Sequence, residues 1–164
     1  MRRYTGEPPT DEQLEQVLSA AMCAPVVMAD YNNVKIGVVS DPVLLALIDG
    51  AGKELFGSPK MKSPLYHAPV LVVVSARIYP GRENAMFSSC AMVVHNMALA
   101  ATELGLGSVC IWASITAVAH DQRVREMLRL PEGFFPCCAL ALGQTPDTFP
   151  RRAVNPRKIE VTRI

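Results

Sequence analysis

Two arginine pairs, Arg2-Arg3 near the start and Arg151-Arg152 near the end, are the side chains best suited to hold a ligand. A guanidinium is a planar fork that donates two parallel hydrogen bonds to a phosphate. Brought together across two copies of the chain, the pairs would grip one phosphate. Other chemistries find less to work with. His67, His95 and His120 stand far apart, without HxxxH or HExxH spacing, so no metal site is expected. Cys23, Cys90, Cys110, Cys137 and Cys138 are odd in number and form no CxxC. Most lie in apolar runs and read as small hydrophobes in a reducing compartment. Cys137 and Cys138 are neighbours in an apolar strand and should point to opposite faces. There is no GxSxG, so a serine hydrolase has no anchor. There is no GxGxxG or GxxxxGK[ST], so a Rossmann or P-loop phosphate cradle is absent.

The elements that must position the arginines belong to one domain, since 164 residues are close to the roughly 150 of a typical one. Hydrophobic residues at 50% and charged residues at 19% exclude a disordered or collagenous chain. Sixteen basic against fifteen acidic side chains leave a charge of +1, which gives no general attraction to nucleic acid or anionic lipid. The opening nine residues lack the apolar stretch of a signal peptide. The longest uncharged aliphatic run, Ala68 to Ala76, is far short of the roughly 20 residues a membrane helix needs. A cytoplasmic protein that engages neither membrane nor nucleic acid is expected.

Thr10 to Gln13 forms a capping box, and Leu14, Val17, Leu18, Ala21 and Met22 follow at helical spacing until Pro25 stops the helix near Ala24. Val34 to Val39 reads as a strand. Ser40-Asp41-Pro42 opens a second helix. Gly50 to Tyr66 reads as a surface loop able to hold a short helix. Pro69 to Val74 is β-branched on both faces, as a strand covered on two sides must be. Asn84 to Leu104 is the longest helix and carries one charge, Glu103. A helix apolar all round needs cover all round, and a partner subunit is the expected source. Ser108 to Ala113 is a buried strand, Thr116 to Leu130 an amphipathic helix, and Pro136 to Leu142 a further strand. From Gln144 the chain is an arm expected to lie on a partner.

Several segments together resemble one family. Arg2-Arg3-Tyr4-Thr5-Gly6-Glu7-Pro8, with Leu14, Leu18 to Ala21 and Ala24-Pro25, is similar to the opening of the nitroreductase flavoproteins. Tyr66 to Val73 resembles their second strand. Asn96 to Ala101 with Leu104 to Ser108 resembles their long helix and the turn after it. Leu130 to Phe134 and Ala139 to Gly143 resemble their closing helix-to-strand passage. The likeness runs nearly end to end, in order.

The resemblance implies a three-layer α+β fold, with a mostly antiparallel central sheet flanked by helices, wrapped as an intertwined homodimer. Residues 1–164 form one domain, with 144–164 as an arm packing on the partner. FMN would lie at the dimer interface and pass electrons from NADH or NADPH to a nitroaromatic, quinone or similar small acceptor. The flavin carries that chemistry, so no catalytic side chain is required. Carried over by position, Arg2 is a phosphate ligand. Pro25, Val26 and Val27 run along the flavin ring. Cys110, Ile111, Trp112 and Ala113 form the strand end whose N–H groups face the flavin. Arg151 and Arg152 supply phosphate-binding cations from the arm. Two features depart from the pattern: the loop from Ala24 to Asn33 lacks the family's serines, and Trp112 stands where a small or acidic residue is usual. A degenerate member with weak or no flavin binding, acting as an interaction subunit, is therefore an alternative. A flavoenzyme with a non-nitro substrate is another.

Overall fold

The central feature is a pair of strands with almost no exposed side chain, β2 (Val70–Arg77) and β4 (Phe134–Gly143). The computed structural model describes residues 2–58, 62–150, 153, 155 and 158–164. β2 and β4 pair antiparallel, β1 (Val34–Val39) flanks β2, and β3 (Gly107–Ile111) flanks β4. The order is β1-β2-β4-β3, antiparallel throughout. The helix–strand alternation of the sequence thus builds an α+β fold.

Both sheet faces are apolar, so each needs a helical layer. On one face α3 (Glu83–Glu103) lies against β2, β3 and β4, and α1 (Asp11–Met22) packs on α3. Val72, Val74, Cys138, Leu140 and Leu142 meet Cys90, Val94 and Met97 there. On the other face lie α2 (Pro42–Phe56), α4 (Ala113–Val118) and α5 (Gln122–Met127). Leu71, Val73, Ala139 and Ala141 meet Ile48, Ile115 and Val124.

The expected starts hold. Thr10 Oγ1 accepts from the Gln13 N–H (3.2 Å) and Gln13 Oε1 accepts from the Thr10 N–H (3.0 Å), the reciprocal box that opens α1. Asp41 caps α2 with Pro42 at its first position. Four expectations need correction. α2 continues through Gly50 to Phe56 and ends on Gly57 in the left-handed region, so the first seven residues of the expected loop are helix. The expected helix from Thr116 to Leu130 is two, because the Asp121 carboxylate accepts from the Val124 N–H and starts α5 afresh. β3 ends at Ile111, and Trp112 and Ala113 turn into α4 rather than extending the strand. Cys137 and Cys138 lie on the same side of the sheet. Val74 pairs with Cys138 and Ser75 with Pro136, leaving Cys137 as the extra residue of a β-bulge. Pro136 has no N–H to give the ladder, which favours a bulge in an otherwise central strand.

α3 is long and apolar enough to cross a membrane by length and composition, and its inner face is spent on the sheet and α1. Its outer face keeps Phe87, Met92 and Leu99 about half exposed. The arm begins on its own chain: the Thr5 N–H donates to Gln144 O (3.0 Å) and the Gln144 N–H to Glu7 O (2.9 Å). Further on, Ile159, Val161 and Ile164 are exposed.

α2 and α4 touch where a side chain would not fit. A Cβ at Gly52 would overlap the Ser114 hydroxyl and lie 2.7 Å from its Cβ, whereas one at Gly50 meets nothing within 4 Å. Gly52→Ala should therefore destabilise the protein by about 1–3 kcal/mol. Gly50→Ala should stabilise it by roughly 0.5–1 kcal/mol through helix propensity. Urea unfolding of the two variants checks the contrast.

Candidate functional site

The site begins with Tyr4, which anchors the N-terminal segment. Gly107 and Gly143 face each other across β3 and β4, and Tyr4 ring carbons come within 3.1 Å of where a Cβ would stand on either. Only glycine leaves room for that ring. The Tyr4 hydroxyl donates to Ala141 O (3.2 Å). Burial, reinforced by Tyr66, pushes its pKa above the ordinary phenol value, so it remains a donor. Arg3 adds an ion pair to Asp147 (3.2 Å), largely exposed and so of small energetic weight.

With Tyr4 fixed, Arg2 reaches a small hollow. Its guanidinium lies 5.4 Å from the centre of the Tyr66 ring, within cation–π range. Tyr66 and His67 both have positive φ, 55° and 59°, which costs a non-glycine residue about 1–2 kcal/mol each. A polar knot holds them. Asp49 Oδ1, on α2, accepts from the Ser63 hydroxyl (2.8 Å) and the Leu65 N–H (2.8 Å). Ser63 Oγ in turn accepts from the His67 N–H (3.2 Å).

The hollow, about 100 Å³, is lined by Arg2, Phe56, Pro64, Tyr66 and the segment Val109 to Ser114. Of the expected site residues, the fold thus gathers Arg2 with Cys110, Ile111, Trp112 and Ala113. The Ser114 hydroxyl is buried without a hydrogen-bond partner and is turned toward Gly52 of α2.

Trp112 also borders a larger hollow of about 410 Å³, lined by Asn84, Phe87, Ser88, Ala91, Thr116, Cys137 and Cys138. Its side chain is 58% exposed, so it is a wall of two hollows. Pro25, Val26 and Val27 sit apart. They line a third hollow of about 320 Å³ with Ala85, Ser88, Ser89 and Met92, sharing only Ser88 with the second. The Val27 N–H donates to Ser89 Oγ (3.0 Å), and Met28 and Ala29 follow with positive φ, 56° and 53°. Arg151 and Arg152 lie outside the described residues.

Sequence reasoning missed Ser114, Asp49 and Ser63. Each is a single polar residue whose role comes from a neighbour distant in sequence. The Ser63-to-Asp49 pairing was invisible because the intervening segment read as loop.

Set beside known proteins, residues 1–144 match the model of the nitroreductase family, and the chain belongs to it. A nitroreductase with bound FMN from Desulfitobacterium hafniense DCB-2 is similar over 99% of this chain and 92% of its own, with a TM-score of 0.81 and 26% identity. Another with bound FMN, from Bacteroides fragilis NCTC 9343, covers 99% and 92% at a TM-score of 0.78 and 27% identity. An NADPH-dependent oxidoreductase of Staphylococcus epidermidis is 28% identical over 90% of this chain. The chain spans 61% of that relative's length.

Trp112→Ala should change stability by less than about 0.5 kcal/mol, as expected of an exposed side chain. The neighbouring Ile111→Ala, at 5% exposure, should cost roughly 2–5 kcal/mol. Thermal and urea unfolding of both variants tests the placement of Trp112 on the wall of the site.

Proposed function

We propose that this chain is an FMN-dependent oxidoreductase that takes electrons from NADH or NADPH and delivers them to a small acceptor such as a nitroaromatic or quinone. The observation that carries the reading is the hollow at Arg2. There the fold brings a guanidinium and the segment Cys110 to Ala113 to one place, beside a larger apolar hollow walled by Trp112. FMN has one anionic end and one flat, largely apolar end, and the two hollows differ in that same sense. The FMN-bound relatives support the cofactor, and the NADPH-dependent one supports the donor.

In this reading Arg2 holds the phosphate end, and Arg151 and Arg152 add cations from a partner subunit. Trp112 and Ala113 border the ring. FMN held there would supply two-electron transfer between the nicotinamide donor and the acceptor. The protein's part is to fix the ring, exclude water with Trp112 and Phe87, and leave one side open to the acceptor. Pro25, Val26 and Val27, separate from Arg2 within one chain, would reach the same flavin from the second subunit. The exposed Phe87, Met92 and Leu99 side chains on α3 support a homodimer, because a partner would remove them from water.

A second reading, weak flavin binding in an interaction subunit, draws on the apolar loop. Val26, Val27 and Met28 offer no side-chain hydrogen bond of ordinary strength, and the Val27 N–H is already used by Ser89.

The purified protein should be yellow, with a visible flavin band and free FMN released on heating. A colourless protein that fails to take up added FMN would establish the second reading instead. Arg2→Ala should weaken FMN binding roughly tenfold to a hundredfold, the effect of losing a charged hydrogen bond. Lys35→Ala should leave it unchanged, since Lys35 donates to Arg129 O (2.7 Å) at the far side of β1. Bound FMN should quench the fluorescence of Trp112, the only tryptophan. Light scattering should give a dimer mass.

A further inference from the structure

The rim of the larger hollow continues along α4 to a cation that the flavin does not use. Trp112, Thr116 and His120 recur every four residues, the spacing of one helix face, and all three are exposed. Trp112 and Thr116 line the hollow. His120 stands outside it, eight residues beyond Trp112, which is about 12 Å at 1.5 Å per helical residue. On β4, Cys137 lines the same hollow. Phe135, two residues before it, meets His120 edge to face with ring centres 5.3 Å apart.

The Phe135 ring also carries Arg125 of α5, whose guanidinium carbon lies 4.7 Å from the ring centre. Arg125 is half-buried. Its Nε is closed off from solvent and has no hydrogen-bond partner. Among the described residues no carboxylate pairs with it. Its neighbours in sequence are occupied elsewhere: Asp121 accepts from the Val124 N–H (3.2 Å), and Glu126 from the Gln122 amide (2.8 Å). A cation is thus fixed on an aromatic ring, partly out of water, without a counter-charge of its own. Such a group favours an anion, because a charged hydrogen bond there offsets its lost hydration.

We propose that Arg125 and His120, set on Phe135, bind the 2′-phosphate of a nicotinamide dinucleotide, so that the chain takes electrons from NADPH in preference to NADH. The assignment rests on the oxidoreductase reading above and lies outside the hollow given to the flavin ring. A dinucleotide whose nicotinamide meets that ring must run its other nucleotide out over the rim, and α4 leads from Trp112 to His120. The terminal nitrogens of Arg125 would donate to two phosphate oxygens, and a ring N–H of His120 to the third. A phosphomonoester carries close to two negative charges and three acceptor oxygens. Each phosphate of the bridging pyrophosphate carries one charge and is the poorer match to an arginine and a histidine together.

Calorimetric titration of the purified protein with adenosine 2′,5′-bisphosphate and with 5′-AMP tests this. The two probes differ only in the 2′-phosphate, and neither transfers electrons. The bisphosphate should bind at least about tenfold more tightly, and Arg125→Gln should bring the ratio close to one. In the FMN-loaded protein the same variant should raise KM for NADPH roughly tenfold to hundredfold with kcat unchanged. Its KM for NADH should stay as it was, which also shows that the variant is folded. Equal binding of the two probes by the unsubstituted protein would overturn the proposal. So would equal losses for NADPH and NADH, which would put Arg125 on the pyrophosphate that both donors share. A colourless protein that takes up no FMN yet prefers the bisphosphate would remove the flavin reading and keep the phosphate site. A yellow protein without that preference would do the reverse.

Discussion

Everything in this molecule is arranged around the need to cover β2 and β4 on both sides. Seven of the eight residues of β2, Val70 to Ala76, are buried, and β4 is buried along nearly its whole length. At roughly 25 cal/mol per Å² of apolar surface, neither face could be left to water. α3 answers on one face and α2, α4 and α5 on the other. The cost is that α3, chosen to be apolar toward the sheet, is apolar outward as well. Phe87, Met92 and Leu99 are what remains once one chain has used the helix. The same composition that builds the core therefore leaves apolar side chains of α3 in water.

The site is a product of how the edges of that sheet end. β3 stops at Ile111 and the chain turns at once into α4, which presents Trp112 outward and Ser114 inward. The close approach of Gly52 to Ser114 presses α4 onto α2 and leaves the hydroxyl without a partner of its own. On the opposite side of the hollow, Asp49 and Ser63 hold Tyr66 in a conformation it would not choose alone, so that Arg2 has a ring to lie on. Arg2 is placed by Tyr4, and Tyr4 by two glycines on neighbouring strands. A hollow assembled this way depends on contacts spread over the whole chain, which explains why no short motif announces it.

That is also why the fold was more legible than the site. Periodicity and caps are local, so the box at Thr10, the Asp41-Pro42 start and the β-branched run at Val70 read directly. The extension of α2 past Gly50 was hidden because two glycines read as a break, whereas one of them is required by the packing of Ser114. The division at Asp121 was hidden because the apolar spacing continues across it. The resemblance to nitroreductases located Arg2 and the Cys110 to Ala113 segment, and these do meet in one hollow. It could not foresee that the Ser114 hydroxyl is buried against α2 without a hydrogen-bond partner, a property that belongs to three-dimensional packing.

Cys137 shows the limit of pattern reading most directly. Strict alternation assigns Cys137 and Cys138 to opposite faces, and that rule holds along β4 from Cys138 to Leu142, whose side chains fall alternately into the two cores. It fails at the residue after Pro136, because a proline in a central strand removes one ladder hydrogen bond and the register slips by one. A single missing N–H thus carries a sulfur from one layer to the other, into the cluster that also holds Cys90.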